Sequence, residues 1–477
     1  MSKKIAIIGA GPGGYVAAIR AAQMGAEVTL VEKSNVGGTC LNHGCIPSKV
    51  LKRTADLLEE MKKAGEFGIE NCQTPRCNMG SLLQRKEKVI SAQAGGILSL
   101  LKKHGVNYIT GSAYIPEANR LEVTATDGSI TSHLWDKLIL ATGSRPATIP
   151  SLPFDGQTIL SSDDALDLET IPESLTIVGA GVIGCEFAFI WNSLGSKVTL
   201  VEALDRPLPL PSVDEGCSKL ISREMKKSKI NLQVNRTVQS ATKEGEKLSL
   251  SFGPSPFAAK LTEKDLQITT GQTDILIVCI GRKANSDGLG LENIGIETDG
   301  AGWVKADAML RTSAKDVYAI GDLLGPTKVM LAHVASTEGE IAVENCFGAE
   351  KSMQYEQIPG AIFTSPEIGT IGLSEKEARE KYDNVRADSV LFRTSGKAQV
   401  LGEIAGQAKI VSDADTGKIL GVHIAGPHAT DLLGEAALAM HMGAGVGDIA
   451  KTIHAHPTLA EVLLETSFKA LDMPLHG

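Results

Sequence analysis

Two stretches of the chain share one pattern of apolar and polar positions. Each starts as a short apolar run, turns through glycines, continues with helical spacing, and ends in a second apolar run closed by an acid. In the first, Ile5-Ala-Ile-Ile leads into Gly9-Ala-Gly11-Pro-Gly-Gly14, an Ala-rich helix reaches Met24-Gly25, and Glu27-Val-Thr-Leu-Val-Glu32 closes the unit. In the second, Leu175-Thr-Ile-Val leads into Gly179-Ala-Gly181-Val-Ile-Gly184, the helix runs toward Leu194-Gly195, and Ser196-Lys-Val-Thr-Leu-Val-Glu202 closes it. Matched positions lie 170 residues apart: Gly9 with Gly179, Gly14 with Gly184, Glu32 with Glu202. This pattern predicts two βαβ units, each with a parallel sheet.

Three more strand-like runs end at a glycine: Lys137 to Gly143, Asp274 to Gly281, and Asp316 to Gly321-Asp322. After about Ala349 the texture changes. Ala408-Lys-Ile-Val-Ser-Asp and Gly417-Lys-Ile-Leu-Gly-Val-His-Ile-Ala-Gly predict antiparallel strands round a turn, and Asp431 to Met440 spaces Leu432, Leu433, Ala436, Ala437 and Met440 as a helix does. Pro- and Gly-rich joints near Arg145 to Pro153 mark a first boundary. The fold class is therefore α/β: two Rossmann-like domains followed by an α+β C-terminal domain.

The glycines carry chemistry. The first of each G-x-G-x-x-G permits a tight turn, the second admits a pyrophosphate to the backbone, and the third lets helix and strand close up. The helix N-terminus offers free N–H groups to the phosphates, and the acid about twenty residues on accepts a bond from the adenosine ribose. Two complete units predict two dinucleotide sites; the alternative is that one copy is structural only. Both units end in Glu, which repels a 2′-phosphate, so NAD is expected over NADP despite Arg206. Asp322, after a Gly turn, suits either a cofactor hydroxyl or a helix cap.

With 477 residues the chain has room for roughly three domains. A net charge of −9 argues against nucleic acid. The apolar stretch from Ser174 to Ile190 is broken by glycines and holds Glu186, so no membrane span is expected. The N-terminus runs straight into a strand and leaves no room for a cleavable signal. Eight cysteines in such a chain suggest a reducing compartment, and a cytoplasmic location is expected.

Cys40-Leu-Asn-His43-Gly44-Cys45-Ile-Pro47-Ser-Lys49 then becomes the main chemical feature. Cysteines five apart sit about 140° apart on an ideal helix, so the turn must distort for a disulfide, and Gly44 is placed to allow it. A helix N-terminus and Lys49 both favour thiolate. A zinc site is the weaker reading, since only His43 could add a third ligand, and no metal is expected. His43 either shifts the thiolate balance or faces solvent. Cys72 and Cys77 repeat the spacing in a polar stretch and read as surface loop residues, with a redox role left open. Cys185, Cys217, Cys279 and Cys346 are isolated and read as packing residues. Near the C-terminus, His454-Ala-His456-Pro457-Thr-Leu-Ala-Glu461 offers an imidazole of suitable pKa to take a thiol proton, with Glu461 to orient it, although a His-Pro segment by itself is most often just a turn.

The order of Gly-rich loop, Gly37-Gly38-Thr39-Cys40-x4-Cys45-Ile-Pro-Ser-Lys49, Ala-Thr-Gly143, second Gly-rich loop, Ala-Ile-Gly321-Asp322 and His454-x-His456-Pro-Thr-x-x-Glu461 resembles the pyridine nucleotide–disulfide oxidoreductases, most closely the dihydrolipoamide dehydrogenases, over essentially the whole chain. The resemblance implies an FAD-binding region (1–147) holding the dithiol, an NAD-binding region (148–272), a central region (273–348) completing the FAD site, and a dimer-interface region (349–477). It implies FAD on Gly9, Gly11, Gly14, Glu32, Thr39, Gly143 and Asp322, and NAD on Gly179, Gly181, Gly184, Glu202 and Gly281. Cys45 then faces the flavin, Cys40 exchanges with substrate, and Lys49 pairs with Glu186 beside the flavin. His456 and Glu461 act on the dithiol of the other subunit of a homodimer, and a cis peptide precedes Pro457. The implied reaction oxidises protein-bound dihydrolipoamide, carried by a 2-oxo acid dehydrogenase, glycine cleavage or related system, with reduction of NAD. Reduction of another disulfide, or a scaffolding flavoprotein in a complex, are the alternatives. His43 departs from the family, whose nearest members often carry Val there.

Overall fold

A computed structural model describes residues 2–70 and 75–476. The first unit forms β1 (Lys4–Ile8), α1 (Pro12–Gln23) and β2 (Glu27–Glu32). α2 (Gly38–His43) and α3 (Cys45–Lys62) follow, then the long α4 (Met79–Lys103) and β3 (Asn107–Thr110). An antiparallel meander of β4 (Ser112–Glu117), β5 (Arg120–Thr124) and β6 (Ile130–Leu134) precedes β7 (Lys137–Leu140). β8 (Ser144–Pro146) then leads the chain away toward the second unit.

The second unit is built from β9 (Ile159–Ser161), β10 (Ser174–Val178), α5 (Val182–Leu194), β11 (Lys197–Val201), α6 (Glu215–Lys227) and β12 (Asn231–Gln233). A second meander, β13 (Arg236–Glu244), β14 (Lys247–Pro254) and β15 (Thr269–Thr273), precedes β16 (Ile275–Val278). The chain then returns. β17 (Arg282–Ala284) pairs antiparallel with β8, and β18 (Val317–Ala319) pairs with β7 as the edge of the first sheet. α7 (Ala332–Cys346) packs on α1.

Both principal sheets are five-stranded and parallel, in the orders β18-β7-β1-β2-β3 and β12-β11-β10-β16-β9. Their central strands are buried and mostly apolar, Ile5 to Ile8 in β1 and Leu175 to Val178 in β10, as strands covered on both faces are. The two copies align in register: Lys4 opposes Glu27 as Ser174 opposes Lys197. The first sheet has its own core. The second shares a core with α3 and α4 through Leu51 and Leu82, so the dithiol helix packs on the second unit.

The C-terminal part is an antiparallel sheet, β19 (Gly360–Ile362), β20 (Glu367–Gly372), β21 (Val385–Leu391), β22 (Gln407–Asp413) and β23 (Ile419–Gly426), ordered β19-β20-β23-β22-β21. Short helices α8 (Glu375–Lys381) and α9 (Gly396–Leu401) lie between its strands, and α10 (Ala429–His441), α11 (Val446–Lys451) and α12 (Glu461–Ala470) complete it. α10 buries Leu433, Ala436 and Met440, the face its spacing predicted. This part is tied to the second unit by an ion triad: Lys409 Nζ lies 2.7 Å from Asp214 and 3.0 Å from Glu375.

Cys185, Cys217 and Cys346 are buried and Cys279 is half-buried, with burial pushing the Cys217, Cys279 and Cys346 thiols up to about 12, so they pack and do not react. Cys77 is a correction. It is half-buried against the second core, with Sγ 3.9 Å from Met79 Sδ, because Met79 opens α4 and draws the preceding loop inward. Cys72 lies outside the described residues.

Candidate active site

The two glycine turns are built alike. A Cβ on Gly14 would fall 1.8 Å from the Gly9 carbonyl, and one on Gly184 1.8 Å from that of Gly179. Gly9 and Gly179 have φ of 102° and 98° and would meet the backbone of Ala141 and Cys279 at 2.3 and 2.4 Å. The middle glycines differ: beside Gly11 nothing lies nearer than Gly38 Cα at 3.9 Å, and beside Gly181 there is nothing within 4 Å. So the first and third glycines are required by protein packing, while the second borders open space at a helix N-terminus, which fits a pyrophosphate. Both acids are buried and held identically. Glu32 accepts from Ala10 N (2.7 Å) and Ser34 N (2.9 Å), Glu202 from Ala180 N (2.6 Å) and Leu204 N (2.9 Å). Arg206 is turned away, donating to the Val213 and Leu210 carbonyls and to Ser218.

The dithiol spans the break between α2 and α3. Gly44 separates the helices at φ −150°, ψ −110°, and a Cβ there would press on Thr39 O at 3.1 Å. This is the distortion that brings Cys40 and Cys45 together. The two thiols are unequal. Cys45 is drawn down to about 7, first by its contact with the Cys40 sulfur and then by the Lys49 ammonium. Cys40 is pushed up, chiefly by the neighbouring Cys45 sulfur. The expectation that a helix N-terminus and Lys49 favour thiolate fits Cys45, which opens α3. His43 is exposed at the end of α2.

Lys49, one turn along α3 from Cys45, donates to Glu186 Oε2 on α5 at 2.8 Å. Glu186 Oε1 accepts from Phe363 N at 2.9 Å, and the Lys49 ammonium stands 4.3 Å from the centre of the Phe363 ring. The pair therefore joins the dithiol helix, the second unit and the C-terminal part.

Asp322 follows Gly321 in a short 3-10 turn after β18. Ser144 Oγ donates to its carboxylate (2.6 Å) and accepts from Arg282 Nε (2.5 Å). The preceding amide, Gly321 N, donates to Glu338 of α7 at 2.6 Å, and Tyr355 holds the other Glu338 oxygen at 2.6 Å. Gly143 and Gly281, both at positive φ, end β7 and β16 at the carboxyl edges of the two sheets, where nucleotides bind in such folds. Ser144, Arg282, Glu338 and Phe363 were not found from sequence.

His456 lies at the C-terminal end of the chain with its ring 78% exposed. Its Nδ1 lies 2.8 Å from Glu461 Oε1, and Thr458 N donates to the other oxygen at 2.8 Å. Burial raises the Glu461 carboxyl, but the His456 and Thr458 bonds outweigh it and hold it below the usual carboxylate range. The His456–Pro457 peptide is cis. His454 is buried instead, bonded to Thr452 O and Glu435.

Comparison with known proteins gives the family. Residues 3–339 match the pyridine nucleotide-disulphide oxidoreductase model, and residues 358–467 match that family's dimerisation domain. The chain belongs to this family. Among relatives of this oxidoreductase, the dihydrolipoyl dehydrogenase of Bacillus subtilis is 39% identical, covering 99% of this chain and 98% of that protein. Dihydrolipoyl dehydrogenase 3 of Haloarcula marismortui is 37% identical over 100% and 98%. The crystal structure of LpdA from Mycobacterium tuberculosis superposes with a TM-score of 0.89 at 27% identity, covering 98% of this chain and 99% of that one. The oxidoreductase is a mixed α/β flavoprotein whose cofactors are FAD and NAD, and its dimerisation domain, which contains His456 and Glu461, makes it a homodimer. No helix among the described residues is long and apolar enough to cross a membrane.

Proposed function

We propose that this oxidoreductase is an NAD-dependent dihydrolipoyl dehydrogenase that oxidises dihydrolipoamide carried on a lipoyl-bearing protein. The observation that carries the reading is the unequal pair Cys40–Cys45, poised between a lysine–glutamate pair and two cradles fit for dinucleotides. The full-length likeness to dihydrolipoyl dehydrogenases supports the substrate. The carrier belongs to a 2-oxo acid dehydrogenase, glycine cleavage or related system, and the reading places the enzyme in the cytoplasm.

Roles follow from position. The first unit, with Glu32, Thr39, Gly143 and Asp322, holds FAD; the second, with Glu202 and Gly281, holds NAD. Bound there, FAD supplies two-electron transfer between a thiolate and the nicotinamide. In the oxidised enzyme Cys40 and Cys45 are joined. His456 of the partner subunit takes a proton from a dihydrolipoyl thiol, and Glu461 fixes the ring so that Nε2 is the accepting atom. The thiolate attacks Cys40 Sγ, a substrate–Cys40 disulfide forms, and Cys45 leaves as thiolate. Lys49 stabilises that charge, as its effect on Cys45 in the reduced pair indicates. The second substrate thiol attacks the substrate sulfur, releasing oxidised lipoyl and the reduced pair. The sum is dihydrolipoyl plus NAD⁺ to lipoyl plus NADH and a proton.

The test is steady-state reduction of NAD by the purified holoenzyme. Free dihydrolipoamide should be oxidised with NAD far faster than with NADP, and far faster than other dithiols. A negligible dihydrolipoamide rate beside brisk turnover of another dithiol would replace this substrate.

A further inference from the structure

The chain between β14 and β15, residues 255–268, makes an excursion at the carboxyl edge of the second parallel sheet. It is not free. Arg236 begins β13, opposite Pro254, and its side chain is buried at 7% exposure. Its guanidinium donates to the carbonyls of Phe252 (3.0 Å), Asp265 (3.0 Å) and Gln267 (2.6 Å), to that of Lys264 (3.4 Å) and to Thr269 Oγ1 (2.8 Å). One side chain thus gathers both ends of the excursion.

The same residue touches the second acid's turn. Arg236 N donates to Glu202 O (2.9 Å) and Asn235 N to Leu204 O (2.9 Å), while Ser255 N donates to Asn235 O (2.9 Å). The excursion therefore leaves the sheet next to the backbone of the turn that follows Glu202. Among the residues it exposes are large apolar ones: Phe257 is 71% exposed, and Leu266, Ile268 and the neighbouring Leu204 are also exposed, beside the charged Lys260, Glu263 and Lys264. Phe257 N is capped by Ser255 Oγ at 3.1 Å, which fixes the ring's base two residues from the Asn235 contact.

We infer that the excursion 255–268 is a wall of the adenosine subsite of the second dinucleotide site, with Phe257 covering one face of the adenine and Arg236 as its positioning residue. This rests on the second unit binding NAD. A ribose bonded to Glu202 leaves its base outside the sheet edge, and a flat aromatic base is stabilised by stacking on an aromatic side chain. The segment offers exposed apolar side chains next to the turn after Glu202, and it is held by a guanidinium that donates to backbone carbonyls and to Thr269 Oγ1, an arrangement that fixes a loop and not a charge partner.

The test measures AMP and nicotinamide mononucleotide binding to the FAD-loaded dimer. Phe257→Ser should weaken AMP roughly fivefold or more, with nicotinamide mononucleotide unaffected, and Phe257→Trp should restore AMP affinity. Arg236→Met should weaken AMP in the same sense; replacing 256–266 by a short Gly-rich turn does so even if Arg236→Met fails to fold. Unchanged AMP affinity in Phe257→Ser and in the shortened chain would overturn the inference. Failure of the unmodified holoenzyme to bind either AMP or NADH would instead overturn the second-site reading on which it rests.

Discussion

The inequality of the two thiols can be broken by one atom. Cys45 is held at about 7 against an ordinary 9.0, and the largest cause is its contact with the Cys40 sulfur. At pH 7 that difference separates roughly one thiolate in two from roughly one in a hundred. Cys40→Ala removes that contact and leaves Lys49, whose attraction is partly offset by Glu186. The Cys45 midpoint should then rise by about one pH unit or more. Cys40→Ser keeps an O–H in the same place and should leave the midpoint near that of the parent. The assay is the pH profile of iodoacetamide alkylation of Cys45 in the reduced holoenzyme, with the modified residue mapped by mass spectrometry. Thiolate, and hence rate, increases as pH rises through the midpoint, so the Ala profile should lie at higher pH than the Ser profile. Coincident profiles would show that Cys40 does not set the acidity of Cys45 and would leave Lys49 as the cause.

The glycine geometry separates packing from binding: Gly184→Ala should cost about 3 kcal/mol or more of stability in a thermal or denaturant melt, because its Cβ meets Gly179 O at 1.8 Å. Gly181→Ala, with nothing within 4 Å, should fold normally and lose NAD affinity in equilibrium binding. His456→Gln should slow thiol–disulfide exchange about a hundredfold or more in stopped flow while sparing hydride exchange between NADH and an NAD analogue; equal losses would make the ring structural. Because the Glu461 carboxyl lies below the usual range, its bond to His456 persists as pH falls and is lost only in acid below that range, so Glu461→Gln should lower dihydrolipoamide turnover at neutral pH without moving an acid limb into it. Mixed dimers of Cys45→Ser and His456→Gln subunits should regain activity, since one of their two sites then pairs an intact dithiol with an intact base; inactive mixed dimers would place both residues in one chain's site.

Legibility in the sequence followed the distance between partners. The twin units could be read because each glycine's constraint arises within the same short turn, Gly14 against Gly9 and Gly184 against Gly179. The distortion at Gly44 was legible for the same reason. The return of β18 to the first sheet and the β8–β17 pairing join segments well over a hundred residues apart, and no local periodicity reports them. Ser144 and Arg282 on Asp322, and Phe363 on Glu186, were missed on the same ground. Lys49 and Glu186 were connected only through the family resemblance, since nothing in either helix alone announces the other. Cys77 was misread because a polar flank hid the pull of Met79. The inequality of Cys40 and Cys45 needed the surroundings of each sulfur, above all the place of Lys49, which spacing does not carry.

The central claim is that electrons pass from a dihydrolipoyl dithiol through Cys40 and Cys45 to the flavin and on to NAD. Anaerobic mixing of oxidised holoenzyme with dihydrolipoamide, without NAD, tests it most directly. A long-wavelength thiolate–flavin absorbance should appear, decay on addition of NAD with formation of NADH, and be absent in Cys45→Ser, which still binds FAD. Reduction of NAD by dihydrolipoamide at an undiminished rate in Cys45→Ser would contradict the dithiol route.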